Sequence, residues 1–158
     1  MEKIKLLIKR LTNDAILPTQ AHDTDAGYDV YAASNGLYVY SKSKPELYLY
    51  TEFRTGIAVS PEFGYHLEIV PRSSLTNKNY LLKNSIGIID NDYRGEICFR
   101  FYEPQVALFL SENYPTYEKG DKIGQIIIRK TIYANIEEVE SLPDTQRGIG
   151  GFGSSDKQ

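Results

Sequence analysis

One stretch of this chain carries more reactive side chains than its local structure needs: Asn84-Ser85-Ile86-Gly87-Ile88-Ile89-Asp90-Asn91-Asp92-Tyr93-Arg94-Gly95-Glu96. A plain β-hairpin turn asks for one Asp and one Gly. Here a carboxylate, an aromatic ring and an amide flank a short apolar run, which suits a small pocket with a base at its rim. Asp90-Asn91-Asp92 opens like a calcium loop, but the glycine and terminal glutamate of such a loop are missing. Tyr93 fits a pocket wall, and equally a core position with its hydroxyl satisfied.

Four other islands could do chemistry. Pro71-Arg72-Ser73-Ser74-Leu75 puts a guanidinium and two hydroxyls where a short helix would begin. Unpaired first-turn N–H groups favour an anion there, and an ordinary capped turn with an exposed arginine uses the same residues. Thr24-Asp25-Ala26-Gly27-Tyr28-Asp29-Val30 sets two acids around a glycine at a strand entrance. That is an Asx-type turn, or a place where Asp29 faces a hard cation or its waters. In Gly120-Asp121-Lys122-Ile123-Gly124-Gln125 a turn precedes the longest apolar run, and Gln125 puts a polar group on a β-branched strand. The last island is Arg147-Gly148-Ile149-Gly150-Gly151-Phe152-Gly153-Ser154-Ser155. Its glycines free backbone N–H groups to cradle an anion, Arg147 and the serines add donors, and Phe152 can stack on a flat ring. The same composition also describes a chain end that stays unpacked.

The elements that must position these groups read as strands. Tyr is abundant at 13 and Trp absent, and β-branched residues recur in short runs. Alternation or apolar runs mark Lys3 to Lys9, Leu37 to Tyr40, Glu46 to Tyr50, Arg54 to Val59 and Gly64 to Val70. Ser85 to Ile89, Glu96 to Tyr102, Val106 to Leu110 and Lys122 to Tyr133 follow, with Ile136 to Val139 as a last short strand. This spacing predicts an all-β sandwich or barrel. The single helix expected spans one or two turns over Ser73 to Lys78, with Ser73 or Ser74 as N-cap. Turn chemistry at Ser141-Leu142-Pro143-Asp144-Thr145 divides a body, residues 1–142, from a mobile arm, residues 143–158.

Composition excludes several classes. Eighteen basic and 21 acidic residues give a net charge of −3 with no basic block, against a broad nucleic-acid surface. The single cysteine rules out an intrachain disulfide and a cysteine-built zinc site. No N-terminal apolar stretch is long enough for a signal peptide or membrane span, so a soluble intracellular protein is expected. There is no Gly-x-x-x-x-Gly-Lys-Ser/Thr loop, and His22 and His66 lack a serine or cysteine partner in any hydrolase signature.

Taken in order, the five islands resemble the motifs of the trimeric dUTP pyrophosphatase (dUTPase) family. Ala26 to Asp29, Pro71 to Leu75, Gly87 to Gly95, Gly120 to Gln125 and Arg147 to Ser155 look like its first to fifth motifs, across residues 20 to 156. The resemblance implies a jelly-roll-like fold, a homotrimer, and Mg-dependent hydrolysis of dUTP to dUMP and pyrophosphate. It implies that Asp90 activates the water attacking the α-phosphorus and touches the sugar 3′-hydroxyl. Tyr93 would pack on the deoxyribose and exclude a 2′-hydroxyl. Asn84 and the backbone of Gly87, Ile88 and Ile89 would read the uracil edge. Asp29 would hold a water on the magnesium, itself bound mainly by substrate phosphates. Arg72, Ser73, Ser74 and Gln125 would bind phosphates. Arg147, Gly153, Ser154 and Ser155 would clamp the β and γ groups, with Phe152 over the uracil. Each site would combine three subunits, the arm being supplied in trans.

The chain departs from the family pattern at Lys122, usually Arg, at Gly124, often Ala, at Ser74, often Gly, and at Asp156, usually Gly. Asp156 beside a triphosphate would weaken arm closure. Two relatives of other kinds share the pattern in part. A dCTP deaminase shares the fold and much of the second motif but lacks this form of the third. A dUTPase-like regulator gated by nucleotide would carry the same motifs.

Overall fold

Alternating apolar and polar side chains build ten short strands, and the only helical element among the described residues is one 3-10 turn. The computed structural model describes residues 3–103 and 116–150. The expected all-β class is what forms.

The strands make three antiparallel sheets that remain open. The smallest pairs β1 (Leu6–Arg10) with β5 (Ile57–Pro61). The second runs in the order β2 (Gly27–Tyr31), β10 (Lys122–Lys130), β6 (Tyr65–Val70), β8 (Gly87–Ile89). The third runs β3 (Leu37–Tyr40), β4 (Tyr48–Arg54), β9 (Cys98–Tyr102), β7 (Leu81–Leu82).

The core lies between the second and third sheets, because every second residue of each points inward. Val30, Leu67, Ile69 and Ile126 come from one side, and Phe53, Phe99 and Phe101 from the other. Tyr80 and Tyr117 extend this aromatic layer, stacked at 5.9 Å between centroids and edge-on to Phe53. Next to this layer, at the β3 end of the third sheet, Tyr48 stacks with Tyr102, meets Tyr38 and Tyr40 edge-to-face, and its hydroxyl lies 2.8 Å from that of buried Thr51. The tyrosine-rich segment is therefore a cross-strand cluster that extends the aromatic layer toward the sheet edge.

Three expectations need correction. The helix is a 3-10 turn, Ser73–Asn77, and its N-cap is Arg72 with no side-chain cap bond, so neither serine caps it. Several strands start later than alternation suggests; β4 reaches Arg54 rather than ending at Tyr50, and β10 ends at Lys130. Residues 136–139 form no strand: a strand needs a partner ladder, the segment has none among the described residues, and Ile136 is 99% exposed. The strand expected at 106–110 lies outside the described residues.

Candidate active site

The first half of the site is a carboxylate under three donors. Asp29 is on β2, and its register partner on β10 is Gln125, so the two side chains share a face. That is the outer face of the second sheet, since Val30 and Ile126 beside them are in the core. Gln125 Nε2 donates to Asp29 Oδ1 at 3.0 Å. Arg72, at the head of the 3-10 turn, donates from Nε to the same oxygen at 2.8 Å. Lys122 Nζ stands 2.8 Å from Oδ2. Burial pushes the Asp29 carboxyl up, but hydrogen bonds from Lys122 and Gln125 and the Arg72 charge outweigh it and hold it below its ordinary value. The hydrogen bond to Asp29 raises Lys122 in turn. Arg72 Nη1 also reaches the Ser74 hydroxyl at 3.4 Å, whereas the Ser73 carbonyl is held by Thr76. Two cations against one carboxylate leave a local excess of positive charge, which favours an anion.

The second half is a narrow slot of about 210 Å³ between β8 and β9. Asn84, Gly87, Ile88, Ile89 and Tyr93 line it, and so do Glu96, Cys98 and Arg100. Gly87 forms the tightest wall: a Cβ there would come within 2.7 Å of Ile69 Cδ1 and 2.8 Å of the Asn84 amide. Asn84 is delivered by a strained turn. Ile86 N–H donates to Asn84 O at 2.6 Å across Ser85, whose φ is +59°. A non-glycine residue in that region costs energy that the surrounding turn must offset. Tyr93 folds back over Gly95, where any side chain would collide with its ring, and its hydroxyl donates to Glu96 O at 3.1 Å.

Asp90 sits at the end of β8 beside the slot, lining a neighbouring cavity of about 600 Å³ with Asn91, Asp92 and His66. Asn91 and Asp92 make no cation loop. The Asn91 amide nitrogen instead lies 3.2, 2.9 and 3.0 Å from the carbonyls of Pro61, Glu62 and Tyr65, tying the turn to the β5–β6 connection. Arg94 Nη1 donates to Asn91 O and Tyr93 O at 2.6 and 2.9 Å and closes the turn. His66 is held by Thr131, 2.9 Å from its Nδ1.

The structure does not bring the two halves together within one chain. Asp29 and Gly87 lie on the two edge strands of a four-stranded sheet, three strand spacings or about 14 Å apart. Gly87 pairs with Ile69 on the inner face, while Asp29 and Gln125 occupy the outer one. Arg147 is remote from both in its contacts: its Nε donates to Gly150 O at 2.8 Å. Phe152, Gly153, Ser154 and Ser155 lie outside the described residues.

Sequence reasoning missed Cys98 and Arg100 in the slot, although a period-2 signal was there. They alternate with the buried Phe99 and Phe101 on β9 and so must face outward. It also gave Lys122 no role. Among the described residues no three His, Cys, Asp or Glu side chains cluster as a metal cage. The donor set fits a magnesium held chiefly by ligand oxygens, with one carboxylate nearby.

Fold and site together define a class: a small all-β protein with a cationic half-site and a flat, glycine-walled slot, the two chemistries of a nucleotide. The family model for dUTPase matches residues 13–156, and the chain belongs to the dUTPase family. It is similar to the deoxyuridine 5′-triphosphate nucleotidohydrolase of Clostridium tetani, at 39% identity over 99% of this chain and 100% of the relative. The enzyme of the same name from Nautilia profundicola is 36% identical over 98% and 100%. Among solved structures, a Staphylococcus bacteriophage 80alpha dUTPase mutant with dUpNHpp superimposes with a TM-score of 0.72. It shares 22% identity, with 96% of this chain and 98% of that one covered, and so supports the fold. A phage phi11 dUTPase, described with a structural Mg(II) ion, gives 0.68 at 23% identity, over 87% and 97%.

Proposed function

We propose that this chain hydrolyses dUTP to dUMP and pyrophosphate with Mg2+, by in-line attack of a water on the α-phosphorus. The observation that carries the reading is a slot lined by Asn84, Gly87, Ile88, Ile89 and Tyr93, with Asp90 following directly after β8, in a chain whose relatives are named for deoxyuridine triphosphate hydrolysis. In this reading uracil enters the slot, where Asn84 and the backbone of Gly87 to Ile89 read its edge. The close approach of Ile69 and Asn84 to Gly87 keeps that wall free of a side chain, so backbone faces the base. Tyr93, held by Glu96 and Gly95, presents its ring to the deoxyribose and fills the space of a 2′-hydroxyl. Asp90 accepts the proton of the attacking water.

Arg72, Ser73, Ser74 and Gln125 bind the phosphates, and Asp29 is held anionic by its three donors. A magnesium ion bound with the substrate would supply charge neutralisation, and Asp29 would hold it through a water. Arg147, Gly153, Ser154 and Ser155 close on the β and γ groups, with Phe152 over the base; residues 143–158 act as an arm.

The assembly in this reading is a homotrimer whose sites are shared. The opposed faces of the two half-sites support it, because one nucleotide cannot reach both from a single chain. Ile132, Tyr133, Ile136, Val139 and Leu142 support it too, since they are exposed apolar residues beyond the last strand that find cover on another copy.

A nucleotide panel tests the function. Pyrophosphate release is expected from dUTP with Mg2+, with strong preference over dTTP, dCTP and UTP and no ammonia from dCTP. Asp90→Asn is expected to lose nearly all turnover while still binding dUTP. Equal turnover by this variant would overturn the mechanism, and ammonia from dCTP would replace the function.

A further inference from the structure

Between Lys122 and Gly124 the ladder of β10 slips by one residue against β2. Lys122 is opposite Tyr31 and Gly124 is opposite Val30, so Ile123 is an extra residue without a partner. Pairing resumes beyond it, where Ala32 N–H donates to Asp121 O at 2.9 Å and Gly120 N–H to Ala32 O at 2.8 Å. This is a β-bulge inside an otherwise regular pair, and bulges re-aim side chains.

The consequence for facing is large. Counting back from Gln125, strict alternation would put Gly124 inward, Ile123 outward and Lys122 inward. The bulge reverses the last two. Ile123 is fully buried in the core, and Lys122 lies on the outer face with its ammonium 2.8 Å from Asp29 Oδ2 and 5.9 Å from the Tyr31 ring. Two consecutive residues, Ile123 and Gly124, now face inward, and the core has room for only one side chain. A Cβ on Gly124 would lie 2.5 Å from Cζ of Phe99, a ring that is itself fully buried.

We propose that this bulge, locked by the Phe99 ring against Gly124, is the device that delivers Lys122 to Asp29, making Gly124 and Phe99 positioning residues for the phosphate half-site. The inference rests on the phosphate role given to that half-site. Adding a methyl at 124 forces β10 away from Phe99, shifts the register and withdraws Lys122 from Asp29, with Gln125 following. Shortening Phe99 makes room for the methyl and restores the bulge.

The test uses four proteins: the parent, Gly124→Ala, Phe99→Leu, and the double variant. Gly124→Ala is expected to raise KM for dUTP about tenfold and to leave dUMP affinity within about twofold, because the uracil slot is on the opposite face. The double variant is expected to recover most of that loss, and Phe99→Leu alone, which loosens the lock without forcing a register shift, to raise KM for dUTP less than Gly124→Ala does. A purely structural role would lower melting temperature in both single variants and give no split between dUTP and dUMP. The proposal is overturned if Gly124→Ala behaves as the parent, if it weakens dUTP and dUMP alike, or if Phe99→Leu fails to rescue it. An activity-free arm separates this outcome from failure of the function. A thermal-melting cycle of Lys122→Met and Asp29→Asn should show coupling in the parent background and none in the Gly124→Ala background. If the parent does not turn over dUTP, the function fails and this cycle still decides on the bulge.

Discussion

Cys98 shows how much one side chain's surroundings decide. It lines the slot walled by Gly87, and burial pushes its thiol from 9.0 up to about 11, with the charges of Glu52 and Glu96 adding to the shift. At pH 8 it therefore holds about a hundredfold less thiolate than an ordinary cysteine. Iodoacetamide labelling is expected to be slow near neutrality and to accelerate toward pH 11, with dUMP protecting. An inflection near pH 9 would refute the environment described. The sign for stability follows. A raised folded-state value favours the protonated thiol, so its contribution is complete below pH 9 and is lost as pH climbs through about 11. Other roles at this scale came from residue type alone. Asp29 and Gln125 stood out as polar groups in apolar surroundings, and both face the same charged cluster. Lys122 could not be placed that way, because its facing depends on a bulge that alternation does not predict.

At the scale of elements, the turn after β8 is fixed by Asn91, whose amide serves three carbonyls of the β5–β6 connection. Replacing it by alanine removes partly buried hydrogen bonds and leaves carbonyls without a donor, a loss of about 1–3 kcal/mol. Asn91→Ala should melt at lower temperature, and in the functional reading it also lowers kcat, since Asp90 adjoins the turn. Unchanged melting would show that the clamp carries no stability. Most strands were legible here, because Leu37–Tyr40 and Cys98–Tyr102 alternate cleanly or lie between clear turn residues. The expected strand at Ile136 was not, for a physical reason: its composition is strand-like, but strand formation needs a neighbour that the described residues do not supply. The serine caps failed similarly. Two hydroxyls beside Arg72 read as a helix start, yet a five-residue 3-10 turn closes without them.

At the scale of the molecule, the arm and the assembly carry the remaining predictions. A chain ending at Pro143 should fold and sediment with the mass of three copies, bind uracil nucleotides weakly and turn over dUTP hardly at all. A sedimentation mass of one chain for the full-length protein would contradict the trimer. The arrangement of the second sheet has a consequence for genetics. Asp29 lies on one face and the slot walled by Gly87 on the other, so in the proposed trimer the Asp29 and the Asp90 of one site come from different chains. Asp29→Asn and Asp90→Asn chains are then each expected to be inactive alone, and to recover dUTP turnover when unfolded together and reassembled; no recovery would contradict the shared site. In a randomly mixed ring, about a quarter of the sites pair an intact Asp29 with an intact Asp90 across a subunit boundary. Two null alleles of this gene in one cell would then restore activity between them, while either null allele beside the normal one would poison sites it does not wholly own.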